Sequence, residues 1–145
     1  MIVPVIAGLV CIILTAIAGL HVYWGFGGLW PATNEADLVK TVIGITRAEH
    51  MPPSHMSFAV AALIVAAAGF VFVRGFLGLN SLLLVRIPLG VIAAVFLARG
   101  IYAYLPGPFA HATEPFATLN AQYFSPLIIV LGAAVAILVL VPAED

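Results

Sequence analysis

Four long apolar blocks alternate with more polar connections along the chain. The blocks cover about residues 2–20, 54–73, 81–105 and 125–141. At about 1.5 Å per residue, an α-helix of each length can cross a hydrocarbon core about 30 Å thick. The apolar residues run continuously instead of alternating, as they would in the strands of a membrane β-barrel. The pattern therefore predicts an all-α protein, an integral membrane four-helix bundle that forms a single domain over residues 1–145.

The connections between the blocks differ in length. A short turn, 74–80, joins the second block to the third, whereas the other two connections, 21–53 and 106–124, are long. In the first long connection, Asn34 is suited to cap a short helix that runs to about Gly44. In the second, Thr113-Glu114-Pro115 is typical of the start of another. We therefore expect short interfacial helices in both.

The distribution of basic residues predicts an orientation. An even number of spans puts both termini on the side of the short turn, together with Arg74 and Arg86, whereas Lys40 and Arg47 lie on the other side. Short loops dominate the positive-inside rule, so we expect a multi-pass protein of the inner (plasma) membrane with both termini cytoplasmic. No Lys or Arg precedes the first block, which favours a retained helix over a cleaved signal peptide.

Composition removes several classes of function. Hydrophobic residues make up 64% of the chain, charged residues make up 8%, and the net charge is −1. Lys and Arg do not cluster, so no nucleic-acid surface is expected. Cys11 is the single cysteine and lies within the first block, so it forms no internal disulfide. The chain has no phosphate loop, nucleophile elbow or dinucleotide fingerprint, and the sequence therefore assigns neither a reaction nor a cofactor.

Arg99 interrupts the third apolar block, where a guanidinium is costly if lipid surrounds it. Such a group usually faces a protein interior, and Glu49 or Glu114 could pair with it there. The residues that we assign to a candidate ligand-binding pocket at this end of the bundle are His21, Trp24, Trp30, Glu49, His55, Arg99, Tyr102, His111 and Glu114. The alternative is that polar and aromatic residues simply collect at the membrane interface, where water is available.

Small residues at helical spacing form stripes on three of the blocks, and such stripes favour close contact between membrane helices. His55 continues the stripe of the second block, so we expect it to face inward at the mouth of the bundle. His21 and Arg99 lie nearly opposite the stripes of their own blocks. The stripes are Gly8, Cys11, Thr15 and Gly19; Ala59, Ala62, Ala66 and Gly69; and Gly90, Ala94 and Ala98.

The sequence leaves three functions open. The working prediction is that a small molecule, lipid headgroup or ion binds in a polar pocket at the extracytoplasmic end, where Arg99 would favour anionic groups. The second is a non-catalytic accessory subunit of a larger membrane complex, docked as a homo- or hetero-oligomer through its small-residue faces. The third is a metal- or haem-binding redox protein that uses His21, His55 and His111, although no motif requires it.

The most distinctive run is His21-Val22-Tyr23-Trp24-Gly25-Phe26-Gly27-Gly28, followed by Trp30-Pro31 and, before the second block, by Met51-Pro52. An aromatic belt with a glycine turn explains much of it, and the alternative is a histidine ring oriented by the indole of Trp24. The run resembles that of a group of small four-span bacterial membrane proteins known only as a domain of unknown function. The resemblance covers most of the chain. It implies the four-span layout and a bacterial origin, and it implies no activity.

Overall fold

Helices are the only regular secondary structure in the part of the chain that the structure describes. The structure is a computed structural model and describes residues 2–44, 50–79, 83–107 and 112–142. The helices are α1 (Ile2–Gly25), α2 (Glu35–Val42), α3 (Ser54–Phe76), α4 (Leu83–Tyr102), α5 (Phe116–Leu119) and α6 (Ser125–Leu140), and a π-helical turn (Asn120–Phe124) joins α5 to α6. No β-strand occurs in these ranges, and the predicted all-α class is confirmed.

Four helical segments are long and apolar enough to cross a membrane: α1, α3, α4 and the continuous segment Phe116–Leu140. We call the end where α3 finishes and α4 begins the short-turn end, and the opposite end the long-loop end. The segments follow the predicted apolar blocks with two differences. The fourth segment begins at Phe116, ahead of the predicted start at about residue 125. In addition, α1 continues beyond Leu20 through the aromatic residues to Gly25. It ends there because Gly27 has a positive φ of 85°, which the chain uses to turn away from the helix axis.

The bundle consists of two tightly packed helix pairs, α1 with α3 and α4 with α6. A shared apolar core that includes the buried side chains of Leu14, Val71, Leu89 and Val135 holds the two pairs together. Close approach within each pair depends on small residues. In the first pair, a Cβ on Gly75 of α3 would collide with Ala7 of α1. Nearby, the Cys11 thiol donates to the carbonyl of Ala68, at 3.4 Å.

The short helix α2 covers part of the long-loop end. Asn34 caps it as predicted, since its side-chain oxygen accepts a hydrogen bond from the backbone N–H of Asp37 at 2.9 Å. Leu38 and Val39 are completely buried, so the apolar face of α2 is turned toward the bundle. The helix packs against α5, close to the bond that the N–H of Thr113 donates to the carbonyl of Gly44.

Candidate ligand-binding site

The glycine-rich run after α1 folds into a compact return of the chain. The N–H groups of Gly27 and Gly28 donate to the carbonyls of Trp24 and Tyr23, each at 2.9 Å. A Cβ on Gly28 would collide with the ring of Tyr23, and one on Gly25 would approach the ring of Phe58 on α3 at 2.6 Å. The glycines therefore let aromatic rings pack directly on the backbone, and the run is fixed against α3.

His21 and Trp24 form an ordered aromatic pair at the end of α1. The rings meet edge to face with their centroids 5.2 Å apart, and the indole Nε1 of Trp24 donates to the carbonyl of Trp30 at 2.8 Å. The Nδ1 atom of His21 lies 2.9 Å from the carbonyl oxygen of Ile17. A carbonyl only accepts, so Nδ1 carries the proton and Nε2 of the neutral ring keeps its lone pair. The indole contact is the one that the sequence offered as an alternative interpretation of the run.

A cavity of about 180 Å³ lies beside this pair, between the end of α1, the end of α2 and the start of α3. We call it the His21 cavity, and it is lined by His21, Trp24, Val42, Ile43, Met51, Pro52, Met56, Ser57 and Val60. Most of these side chains are apolar. Because the Trp24 N–H is already bonded to Trp30, His21 and Ser57 supply the remaining polar side-chain groups of the wall.

Glu35 fixes the part of the wall that precedes α3. Its carboxylate accepts a hydrogen bond from the backbone N–H of Met51 at 2.7 Å and contacts Nδ1 of His50 at 3.1 Å. The hydrogen bond with His50, followed by the one from Met51, holds the pKa of Glu35 below its ordinary value. Glu35 opens α2, so these contacts tie α2 to the chain just before α3 and set the position of Met51 at the cavity.

Arg99 belongs to a separate polar cluster between α4 and α6. Its Nη2 donates to the side-chain oxygen of Asn120 at 3.1 Å, and the hydroxyl of Ser125 donates to the same oxygen at 3.1 Å. Asn120 and Ser125 are both buried. The guanidinium is therefore turned toward the protein, where it contacts the π-helical turn at the start of α6. Intramembrane cations and π-helical turns both occur frequently at functional sites.

The sequence did not identify Asn120 or Ser125 as partners of Arg99. They are five residues apart, and α-helical spacing does not put such residues on one face, whereas a π turn with its i to i+5 bonds does. The predicted partner Glu114 instead accepts hydrogen bonds from the N–H and hydroxyl of Thr118 at the start of α5. Glu49, the other predicted partner, and His111 lie outside the described residues.

The structure does not bring the predicted pocket residues together in one place. Of those that it describes, His21 and Trp24 line the His21 cavity, whereas the others do not: Trp30, His55, Arg99, Tyr102 and Glu114. Trp30 and Tyr102 are exposed, although the Trp30 backbone accepts the Trp24 bond.

The expectation that His55 faces inward is wrong. His55 and the stripe that it continues, Ala59, Ala62, Ala66 and Gly69, lie on the outer surface of α3. The reason is that α3 turns a different face, with Ala61, Ala68 and Gly75, toward its neighbours. Ala94 and Ala98 of α4 are exposed as well. Docking of another chain on these stripes stays a prediction.

Metal ligation draws no support from the described residues. Within them, no group of three His, Cys, Asp or Glu side chains lies close enough to hold an ion. The predicted set of His21, His55 and His111 includes a residue outside that part of the chain, and it stays a prediction.

Comparison with known proteins identifies a family. The family model described as "Protein of unknown function (DUF3995)" matches residues 14–135. A search of the curated proteins and a search of the solved structures found no match. The matched range starts inside α1, ends inside α6, and contains both the His21 cavity and the Arg99 cluster. The resemblance to a family of unknown function is therefore confirmed, and the chain belongs to this family.

Proposed function

We propose that this protein binds a small, mainly apolar molecule in the His21 cavity. The observation that carries the proposal is the cavity itself, whose apolar wall holds an imidazole with its Nε2 lone pair available. Small-molecule sites in proteins are typically concave and mostly apolar, with a few polar groups that fix orientation. The surrounding contacts of Glu35, Trp24 and the glycine-rich run provide the rigid frame that such a site needs.

The volume of the cavity limits the size of the ligand. An apolar protein cavity of about 150 Å³ can hold a benzene molecule. At about 180 Å³, the His21 cavity accepts one substituted ring or an aliphatic group of similar bulk. A larger ligand would have to extend beyond the mouth.

The mouth of the cavity favours entry from the bilayer. Met56 and Val60, which line the cavity, also have 51% and 40% of their surface exposed on the outside of α3. An apolar solute concentrates in the hydrocarbon region, and these two side chains give it a continuous apolar path to the cavity.

The lining favours a neutral molecule over an ion or a lipid phosphate. It contains no Lys, Arg, Asp or Glu side chain among the described residues, and Arg99 is engaged with Asn120. A charged ligand would lose its hydration without a compensating partner in this wall. The preference for anions that Arg99 suggested in the sequence therefore does not extend to this cavity.

We also propose that the His21 cavity opens on the extracytoplasmic side. The support is the position of Arg74 and Arg86 at the opposite, short-turn end, because basic residues next to short loops favour the cytoplasm.

Filling the cavity tests the proposed function. Ser57 lies in the wall and is half-buried, so Ser57→Phe is expected to occupy the space with an aromatic ring. Wild-type protein in lipid nanodiscs would be titrated with p-cresol and p-xylene while the indole N–H signal of Trp24 is followed by NMR. We expect a saturable shift in the wild type and none in Ser57→Phe.

The matched control is Val65→Phe, the same new side chain at an exposed position of α3 away from the cavity. It should titrate like the wild type. Val60→Phe, at the mouth, repeats the blocking test at a position where an added ring is easily accommodated. Saturation of the blocked variants at wild-type affinity, or no saturable shift in the wild type with either probe, would refute binding in this cavity.

A further inference from the structure

We infer that the ligand of the His21 cavity is a neutral hydrogen-bond donor of the phenol type, whose hydroxyl donates to Nε2 of His21. The inference rests on the proposed function and specifies the ligand class for the same site. It follows from three features of the wall: the tautomer of His21, the partner of the Trp24 indole, and the side chains that face the body of the ligand.

The tautomer of His21 determines which hydrogen bond its ring can form with a ligand. Nδ1 lies 2.9 Å from the Ile17 carbonyl, which cannot donate, so the neutral ring holds its proton on Nδ1. The edge-to-face contact with Trp24 further restrains the ring. Nε2 is then a pure acceptor with a preset direction, and a ligand that excludes water from the cavity must supply a donor or leave this acceptor buried without a hydrogen bond.

The other polar groups of the wall are compatible with a hydroxyl ligand. The Trp24 N–H is bonded to the Trp30 carbonyl at 2.8 Å, so it does not compete for the ligand oxygen. Ser57, on the facing helix α3, carries a hydroxyl that can donate to or accept from the same ligand group. A ligand hydroxyl can bond to both His21 and Ser57, because its oxygen donates one hydrogen bond and also accepts.

The apolar part of the wall favours an aromatic body. Met51 and Met56 line the cavity with flexible, polarizable thioethers, which pack well against the edges of aromatic rings. The indole of Trp24 offers a further aromatic surface. One ring also matches the volume of about 180 Å³.

The experiment compares p-cresol with p-xylene, which differ by a hydroxyl in place of a methyl group. Affinities would be measured by NMR in nanodiscs, with the partition of each probe into empty nanodiscs measured separately. We expect wild-type protein to bind p-cresol at least about tenfold more tightly. We also expect the ¹⁵N signal of His21 Nε2 to shift with p-cresol and to stay in place with p-xylene.

His21→Phe keeps an aromatic ring and removes the acceptor. This variant should bind the two probes with similar affinity, close to that of p-xylene for the wild type. The matched control is His55→Phe, the same substitution at an exposed histidine at the same end of the bundle, and it should keep the wild-type preference.

The outcomes separate the two proposals. Equal affinities of the wild type for p-cresol and p-xylene would overturn the phenol class and leave the proposed function intact. The role of His21 would be overturned if His21→Phe still bound p-cresol more tightly than p-xylene. It would also be overturned if the ¹⁵N chemical shift of His21 Nε2 did not change on addition of p-cresol. The Nε2 measurement uses wild-type protein, so it tests the role of His21 even if His21→Phe fails to fold. The absence of saturable binding by either probe would overturn the proposed function itself.

Discussion

Among the described contacts, the arginines of the spans donate to neutral oxygen atoms that lie near the two ends of α6. Arg74 donates from Nε to the Leu138 carbonyl at 2.7 Å and from Nη2 to the Val141 carbonyl at 2.8 Å. These carbonyls belong to the last turn of α6 and the residue after it, where backbone acceptors lack helical partners and a cation is favourable. Arg99 differs in its acceptor. It lies in the last turn of α4, and its guanidinium reaches the π-helical turn before α6, where the acceptor is the side-chain oxygen of Asn120 and not a backbone carbonyl.

Replacing Asn120 tests this contact. Asn120→Leu removes the oxygen that accepts from both Arg99 and Ser125 and should lower the free energy of unfolding by about 1–2 kcal/mol. Unfolding would be followed by circular dichroism during SDS titration in mixed micelles. Gln122→Leu is the control, because Gln122 lies in the same π turn and is exposed.

A double-mutant cycle assigns that loss to the Arg99 contact. In an Arg99→Leu background, Asn120→Leu should cost clearly less than in the wild type, because the two substitutions remove the same interaction. Equal costs in both backgrounds would show that Asn120 contributes to stability independently of Arg99.

At the scale of the helices, close packing of α4 on α6 depends on two glycines. A Cβ on Gly132 would lie 2.9 Å from Leu97 Cγ and 3.0 Å from the Leu97 backbone nitrogen. A Cβ on Gly100 would collide with Ile129 and lie 3.1 Å from the carbonyl oxygen of Ser125. Both positions leave no room for a methyl group unless the helix backbones move apart.

Two identical substitutions in α4 should therefore have different effects. Gly100→Ala forces α4 away from α6 and should lower the free energy of unfolding by about 1–3 kcal/mol. Gly90→Ala meets no atom within 4 Å, and it should be neutral or stabilise by up to about 1 kcal/mol because alanine favours the helix. Thermal unfolding of both variants in the same detergent would measure the difference. A loss for Gly90→Ala as large as that for Gly100→Ala would contradict this account.

The same glycines show why the sequence predicted the helices better than their packing. Length and hydropathy define a span, and Asn34 caps α2 by a purely local bond, so these features can be predicted without the rest of the molecule. In a bilayer both faces of a helix are apolar, so small residues on an outer face look like those at a contact. Ala59 and Gly100 are such a pair: the first is exposed and the second is buried. The lining of the His21 cavity could not be predicted for a related reason. The residues that α2 and α3 contribute to it are mostly apolar, and the sequence does not distinguish them from other apolar residues of the helices.

At the scale of the whole molecule, the two ends of the bundle differ in chemistry. The short-turn end carries Arg74 and Arg86, whose guanidiniums both reach carbonyls at the end of α6. The long-loop end carries His21, Trp24 and the covering helix α2. A protein with such ends is expected to adopt one orientation in the membrane, and that orientation decides from which compartment polar molecules can reach the long-loop end.

Cysteine labelling in intact cells would determine the orientation. The single native cysteine is replaced first, by Cys11→Ala, and one exposed position at each end is then changed, Thr33→Cys at the long-loop end and Leu79→Cys at the short-turn end. Basic residues next to the short turn favour the cytoplasm. A membrane-impermeant maleimide should therefore label Thr33→Cys in intact cells and label Leu79→Cys only after lysis. Leu63→Cys, on the outer face of α3, should stay unlabelled in both conditions because lipid covers it. The reverse pattern at Thr33 and Leu79 would place the long-loop end in the cytoplasm, and the His21 cavity would then open toward the inner leaflet.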